Sequence, residues 1–376
     1  MTEKNSQALR QLIDAHSYAQ EPKVIENLLN LADLDSNARD RITSQAIQLV
    51  TQIRALDRPG LMEVFLAEYG LSTQEGIALM CLSEALLRVP DAATIDALIE
   101  DKIAPSDWGK HMSHSTSPLV NASTWALMLT GKVLTSDQAS IVGHLRGLVK
   151  RMGEPVIRTA VGRAMKEMGR QFVLGETITA AMKRAKIMQS KGYRYSYDML
   201  GEAAHTDADA AQYHLSYSRA IASIAEDCVH KDIRKNPGVS VKLSALHPRY
   251  EVAQNDRVMT ELVPRLGALA QLAKSANMAL TIDAEEADRI SLSLDVIETV
   301  LQNPALRGWD GFGVVVQAYS KRASFVIDFL YDMAQRIDCK IMVRLVKGAY
   351  WDTETNRSQV AGLSDFPLFT STPATD

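Results

Sequence analysis

From Gly192 onward, short apolar runs of strand type alternate with stretches of helical period, and no other feature narrows the fold as much. The runs cover 194–199, 239–243, 279–283, 313–317 and 340–345. Between them lie three amphipathic faces. One is marked by Val258, Leu262, Leu266 and Leu269, a second by Leu292, Val296, Ile297 and Val300, and a third by Phe325, Val326, Phe329, Leu330 and Met333. Each strand–helix unit takes about 30–40 residues, the length of a βαβ unit, so a parallel sheet is expected. The glycine pair in Gly311-Phe312-Gly313 precedes a strand instead of opening a helix, so it is no dinucleotide fingerprint. Equal units without that fingerprint favour a (β/α) barrel over a doubly wound sheet.

Five strands do not close such a barrel. Eight need about 250 residues, and about 180 remain after Gly192. The tail, Ser371-Thr372-Pro373-Ala374-Thr375-Asp376, brings no capping element, so the expectation is a barrel cut short. Before Gly192, from about residue 5, the pattern is helix after helix. Leu9, Leu12 and Ile13 begin one face, and Ile25, Leu28, Leu29 and Leu31 another. Ser72-Thr73-Gln74-Glu75 reads as a capping box opening a further helix.

Composition excludes several functions. A net charge of -4 carries no electrostatic footprint for nucleic acid. Three cysteines (Cys81, Cys228 and Cys339) stand far apart with no CxxC pair, which suits reduced thiols in a cytoplasmic protein. The N-terminus lacks the apolar core of a signal peptide. The run from Trp125 to Leu134 contains Lys132 and is too short to span a bilayer. His111 and His114 have no third ligand in sight, so no metal is expected.

Chemistry concentrates where strands end. Asp198 lies on the first strand, followed by Gly201-Glu202. Lys242 lies on the second, Asp283 closes the third, Gln317 the fourth, and Arg344 sits in the fifth. An arginine inside an apolar strand needs a partner, and parallel barrels gather their chemistry at these ends. Lys242, Asp283, Gln317 and Arg344 are therefore expected to share a pocket. Two cations beside a carboxylate and an amide suit a carboxylate substrate and a cofactor that gains negative charge, such as a flavin. A Schiff-base lysine at Lys242, as in an aldolase, meets the same pattern. A third reading is a non-catalytic module in which the helical half dimerises.

Five segments carry a resemblance that separates these readings. They are Tyr195-Ser196-Tyr197-Asp198-Met199-Leu200-Gly201-Glu202, Lys242-Leu243-Ser244-Ala245-Leu246-His247-Pro248-Arg249-Tyr250, Ile282-Asp283-Ala284-Glu285-Glu286, Val316-Gln317-Ala318-Tyr319 and Arg344-Leu345-Val346-Lys347-Gly348-Ala349-Tyr350-Trp351. In this order they resemble the proline dehydrogenase domain of the bifunctional proline utilization A flavoenzymes. The helical half resembles that family's arm and α-domain. The resemblance implies a helical arm at 1–52, a helical α-domain at 53–175 and, at 176–376, a (β/α)8 TIM-like barrel truncated after about five strands.

It further implies FAD, L-proline oxidised to Δ1-pyrroline-5-carboxylate on the way to glutamate, and a membrane quinone as acceptor. A peripheral place at the inner face of the membrane and a homodimer belong to the same expectation. By the same likeness Lys242 binds the proline carboxylate, Asp283 orders the cluster and Tyr350 packs on the substrate ring. Arg344 and Gln317 reach the flavin ring, lined by Val346, Gly348, Ala349 and Trp351. Asp198 and Glu202 gate the pocket, or else merely cap the following helix. The family's ribbon-helix-helix segment, eighth barrel helix and aldehyde dehydrogenase half find no counterpart in these residues, and because a barrel missing three strands leaves open sheet edges the chain is expected to bind FAD weakly or not at all.

Overall fold

In the computed structural model, which describes residues 3–55, 173–199 and 201–376, five strands form one parallel sheet in chain order. They are β1 (Ser196–Asp198), β2 (Gly238–Val241), β3 (Ala279–Ile282), β4 (Phe312–Gln317) and β5 (Met342–Val346). The register aligns Tyr197 with Val239, Val239 with Leu280, Leu280 with Phe312, and Val314 with Val343. Each strand lies beside the next in sequence, as in a progressively wound barrel. All of β2 and β4 is buried, which explains why both are apolar apart from Ser240 and Gln317. β5 pairs with β4 on one side and leaves Val343 and Leu345 exposed.

Helices connect the strands at the expected places. α1 (Glu3–Ala15), α2 (Glu21–Ala32) and α3 (Ser36–Arg54) come first, and α4 (Ile178–Gln189) leads into the sheet. Then come α5 (Asp207–Ala225), α6 (Asn255–Ser275), α7 (Ile290–Leu301), α8 (Ala323–Ile337) and α9 (Trp351–Val360). Val258, Leu262, Leu266 and Leu269 are all buried, as their spacing predicts. The third face differs at one position: Val326, Phe329, Leu330 and Met333 are buried, and Phe325 instead tilts against His16. The capping box at 72–75, the pair His111/His114 and nearly all of 53–175 lie outside the described residues.

Residues 1–35 and 177–376 group into one compact unit, and 36–176 into another. Within the first, α1 lies on the α7–α8 face. Ile13 is fully buried, Asn5 Nδ2 donates to Asp332 (2.7 Å), and Arg10 donates to Asp295 (2.6 Å) and to the Ser291 carbonyl (3.0 Å). The face expected on α2 has no buried residue. In the second unit, α3 likewise buries none of its residues.

The last segment packs back on the loop after β4. The Phe369 N–H donates to the Tyr319 carbonyl (2.8 Å), and the Lys321 ammonium, fully shielded from solvent, pairs with Asp365 (2.6 Å). Breaking a buried pair leaves its cation stranded. Asp365→Ala is therefore expected to cost about 2–3 kcal/mol at pH 7, somewhat below the fully buried range because Asp365 is partly exposed. The sign of its pH dependence follows from the carboxyl. Burial raises its pKa, the Lys321 bond lowers it, and the net shift is downward. Its contribution is thus present above the ordinary carboxylate pKa and lost as pH falls through the folded value. Urea titrations should show the deficit full at neutral pH and shrinking in acid; a deficit independent of pH would refute the pairing.

Candidate active site

The strand ends bring four charged groups into one connected cluster. Asp283, the residue after β3, is at its centre and is 9% exposed. Its Oδ1 accepts from Arg344 Nη2 (2.6 Å) and its Oδ2 from Lys242 Nζ (3.3 Å). The same ammonium donates to Asp198 Oδ2 (3.4 Å). Asp198, Asp283 and Arg344 come from the odd strands, the arrangement by which a barrel interior is filled in layers. Arg344 therefore reaches past β4 instead of pairing with its immediate neighbour.

Burial lowers the Lys242 pKa, but Asp198 and Asp283 outweigh it and the net shift is upward. Lys242 is held as an ammonium. Asp198 moves the other way from an ordinary carboxylate: burial raises its pKa more than Lys242 lowers it.

Gln317, also buried, lies one layer behind. Its Nε2 donates to the Glu285 carbonyl (2.9 Å) and its Oε1 accepts the Ala349 N–H (3.0 Å). One amide hydrogen remains for a ligand. The turn after β5 rests on Tyr319, whose hydroxyl accepts the Tyr350 N–H (3.3 Å). Gly348 has φ +146°, and a Cβ there would run into the Tyr319 ring, so only glycine lets this backbone lie flat. Gly348 and Ala349 are exposed, Val346 is half-buried, and Trp351 shows part of its ring. The Tyr350 hydroxyl titrates above its usual range, first through burial and then through Glu285, Glu202, Glu286 and Asp283. That places Tyr350 and Glu202 in the field of the cluster.

Asp198 and Glu202 do not cap the following helix. Thr206 does, accepting the Asp209 N–H (3.2 Å) in a capping box.

Of the four groups expected in one pocket, Asp283 and Gln317 line a cavity in common among the described residues, and Lys242 and Arg344 join them through their bonds to Asp283. That cavity, of about 40 Å³, is lined also by Val315 on β4 and Ile297 on α7. It holds a water or two and no ring system.

Several supporting residues carry no local signal in the sequence. Glu285 accepts the Ser244 N–H (3.0 Å), and Glu354 on α9 accepts the Ala287 N–H (2.6 Å). Arg322 donates to the Ala287 carbonyl and to Ser17 (2.9 Å). Each partner is 35 to 305 residues away, so periodicity could not have revealed them.

Fold and site together define a (β/α)-barrel protein with a charged cluster at the strand C-termini, where such barrels bind small molecules. The family model described as "Proline dehydrogenase" matches residues 181–376. "DNA-binding domain of Proline dehydrogenase" matches 61–172, and "Proline utilization A proline dehydrogenase N-terminal domain" matches 7–54. The chain belongs to the proline dehydrogenase family.

It is 49% identical over 361 residues to "Bifunctional protein PutA" of Klebsiella aerogenes, an alignment covering 95% of this chain and 28% of that protein. "Proline dehydrogenase 1" of Bacillus subtilis (strain 168) is 31% identical over 183 residues, 48% of this chain and 52% of that one. A crystal structure of a Proline Utilization A mutant from Bradyrhizobium japonicum superposes with a TM-score of 0.67 at 48% identity, covering 95% of this chain and 36% of that one. The chain thus spans well under half the length of the PutA proteins it matches. The match to a DNA-binding domain at 61–172 runs against the absence of a nucleic-acid partner expected from net charge, and those residues lie wholly outside the described ones.

Proposed function

We propose that the protein oxidises L-proline to Δ1-pyrroline-5-carboxylate with bound FAD. The observation that carries this is the Asp283 carboxylate holding Lys242 and Arg344 on its two oxygens, in a chain of the proline dehydrogenase family. The Lys242 ammonium receives the proline carboxylate, exchanging part of its bond to Asp198 or Asp283 for one to substrate. Tyr350 covers the ring and excludes water. Asp198 and Glu202 stand at the entrance.

The donor set fits a flavin. Arg344 spends Nη2 on Asp283, its side chain is 54% exposed, and beside it lie the bare backbone of Gly348 and Ala349 and the edge of Trp351. When bound, the flavin supplies the two-electron acceptor that the side chains lack. Arg344, Gln317 and the backbone from Val346 to Ala349, with Trp351, would hold it.

The lysine-aldolase reading loses support from the same geometry. A Schiff-base lysine needs a lowered pKa, and three carboxylates raise that of Lys242. Delivery of electrons to a membrane quinone, in the cytoplasm at the inner face of the membrane, goes with the family reading. No described helix is long and apolar enough to cross a membrane, so any such contact made by the described residues is peripheral. A homodimer is the assembly we propose, to be read by light scattering.

The test is flavin absorbance together with proline-dependent reduction of a quinone, on this chain and on a form extended through eight strands. Activity in neither overturns the proposal. Lys242→Met removes a charge-assisted bond, so the proline KM should rise about 10–100-fold while the flavin stays bound. An unchanged KM would remove Lys242 from the binding site.

A further inference from the structure

Lys242 sits where a strand ladder runs out. β1 pairs with β2 as far as Asp198 opposite Ser240, and then turns away. The next backbone donor on the β1 side, the N–H of Lys242 just past β2, therefore has no strand beside it. It donates to the hydroxyl of Tyr217 on α5 (3.3 Å). Tyr217 is 1% exposed, so this phenol was taken out of water to serve the backbone of one residue. Burial pushes its pKa above the normal phenol range, with Asp198, Asp283 and Glu285 adding to the rise, so it stays neutral at any working pH.

One turn earlier on the same helix face is Tyr213. Its ring occupies the space a Cβ at Gly201 would need, so the Gly201–Glu202 segment lies directly against it. The next residue is tied down as well, since the Ala203 N–H donates to Ser244 Oγ (3.0 Å).

We propose that Tyr217 is a positioning residue that sets how far the Lys242 side chain projects, and that α5, through Tyr213 and Tyr217, fixes the distance between Lys242 and the Asp198–Glu202 entrance. The divergence of β1 from β2 opens the gap in which the Asp198 carboxylate reaches the Lys242 ammonium. A side chain from a helix completes the ladder there, so the gap does not let the lysine drift. This rests on Lys242 binding the substrate carboxylate, as proposed above.

The experiment is a double-mutant cycle in the whole protein, with proline KM and kcat and with calorimetric binding of cyclopentanecarboxylate, which has the ring and the charge but no oxidisable amine. Tyr217→Phe keeps the ring and removes only the hydroxyl. It should weaken cyclopentanecarboxylate binding and raise the proline KM by about three- to tenfold, with kcat within about twofold. In a Lys242→Met background the same change should add nothing, because the group it positions is gone. A further weakening of equal size in that background would make Tyr217 merely structural and overturn the inference. So would an unaltered KM in the single variant. If Lys242→Met itself leaves both readouts unchanged, the binding role of Lys242 fails instead, and the two failures stay distinct.

Discussion

Asp283→Asn is expected to lower kcat for proline about 10²–10³-fold while changing KM less than about threefold. The two effects have opposite electrostatic origins. Asp283 aligns Lys242 through one oxygen and Arg344 through the other, and it is nearly buried, so its geometry is well defined. An amide can accept on one side only, so one of the two cations swings free. Misplacement of a reacting partner by about 1 Å is enough to lose about two orders of magnitude. The lost negative charge leaves the pocket more positive, and that favours an incoming carboxylate, so affinity is held up as turnover collapses. A second readout follows from the same charge. With Asp283 neutralised, one of the three anions raising the Lys242 pKa is gone, and the alkaline limb of proline binding should move to lower pH. Steady-state kinetics across pH give both numbers. An unchanged kcat, or a KM that rises in parallel with a fall in kcat, would refute this role for Asp283.

Phe329→Ala should produce the largest loss of stability, about 3–5 kcal/mol. Phe329 is fully buried on α8, where truncation leaves a cavity that a packed interior cannot collapse to fill. The ring also serves the N-terminal helix, because the Arg10 guanidinium lies 4.2 Å from its centroid. Losing that contact removes about 1 kcal/mol more of the attraction seating α1. The expected outcome in urea is a lowered midpoint, accompanied by protease cleavage near residues 16–20 well before the sheet unfolds. A loss below about 1.5 kcal/mol would show that the site relaxes around the smaller side chain. Protection of residues 16–20 in the variant would show that α1 is held by Ile13 and its ion pairs without Phe329.

The sheet was readable in advance for a physical reason. A strand buried on both faces is apolar along most of its length, so β2 and β4 stood out, and the polar residues Lys242, Asp283 and Gln317 marked where β2, β3 and β4 end. The helices were readable because a 3.6-residue period records one buried face, as at Leu262, Leu266 and Leu269. The α2 face misled, since Leu28, Leu29 and Leu31 have the period and yet stay exposed. Periodicity states that a face is apolar, and says nothing of what covers it.

The sequence by itself determined that strands alternate with helices from Gly192 on, and which charged side chains leave the strand ends, because both are written in residues close together along the chain. Only the tertiary structure decided that Asp283 is the shared partner of Lys242 and Arg344, that Tyr217 finishes the ladder at Lys242, and that α1 packs on α7 and α8. These pairings join residues 25 to 327 positions apart. Such contacts exist once the chain has closed those loops, and no local pattern of polarity encodes which distant group waits on the other side.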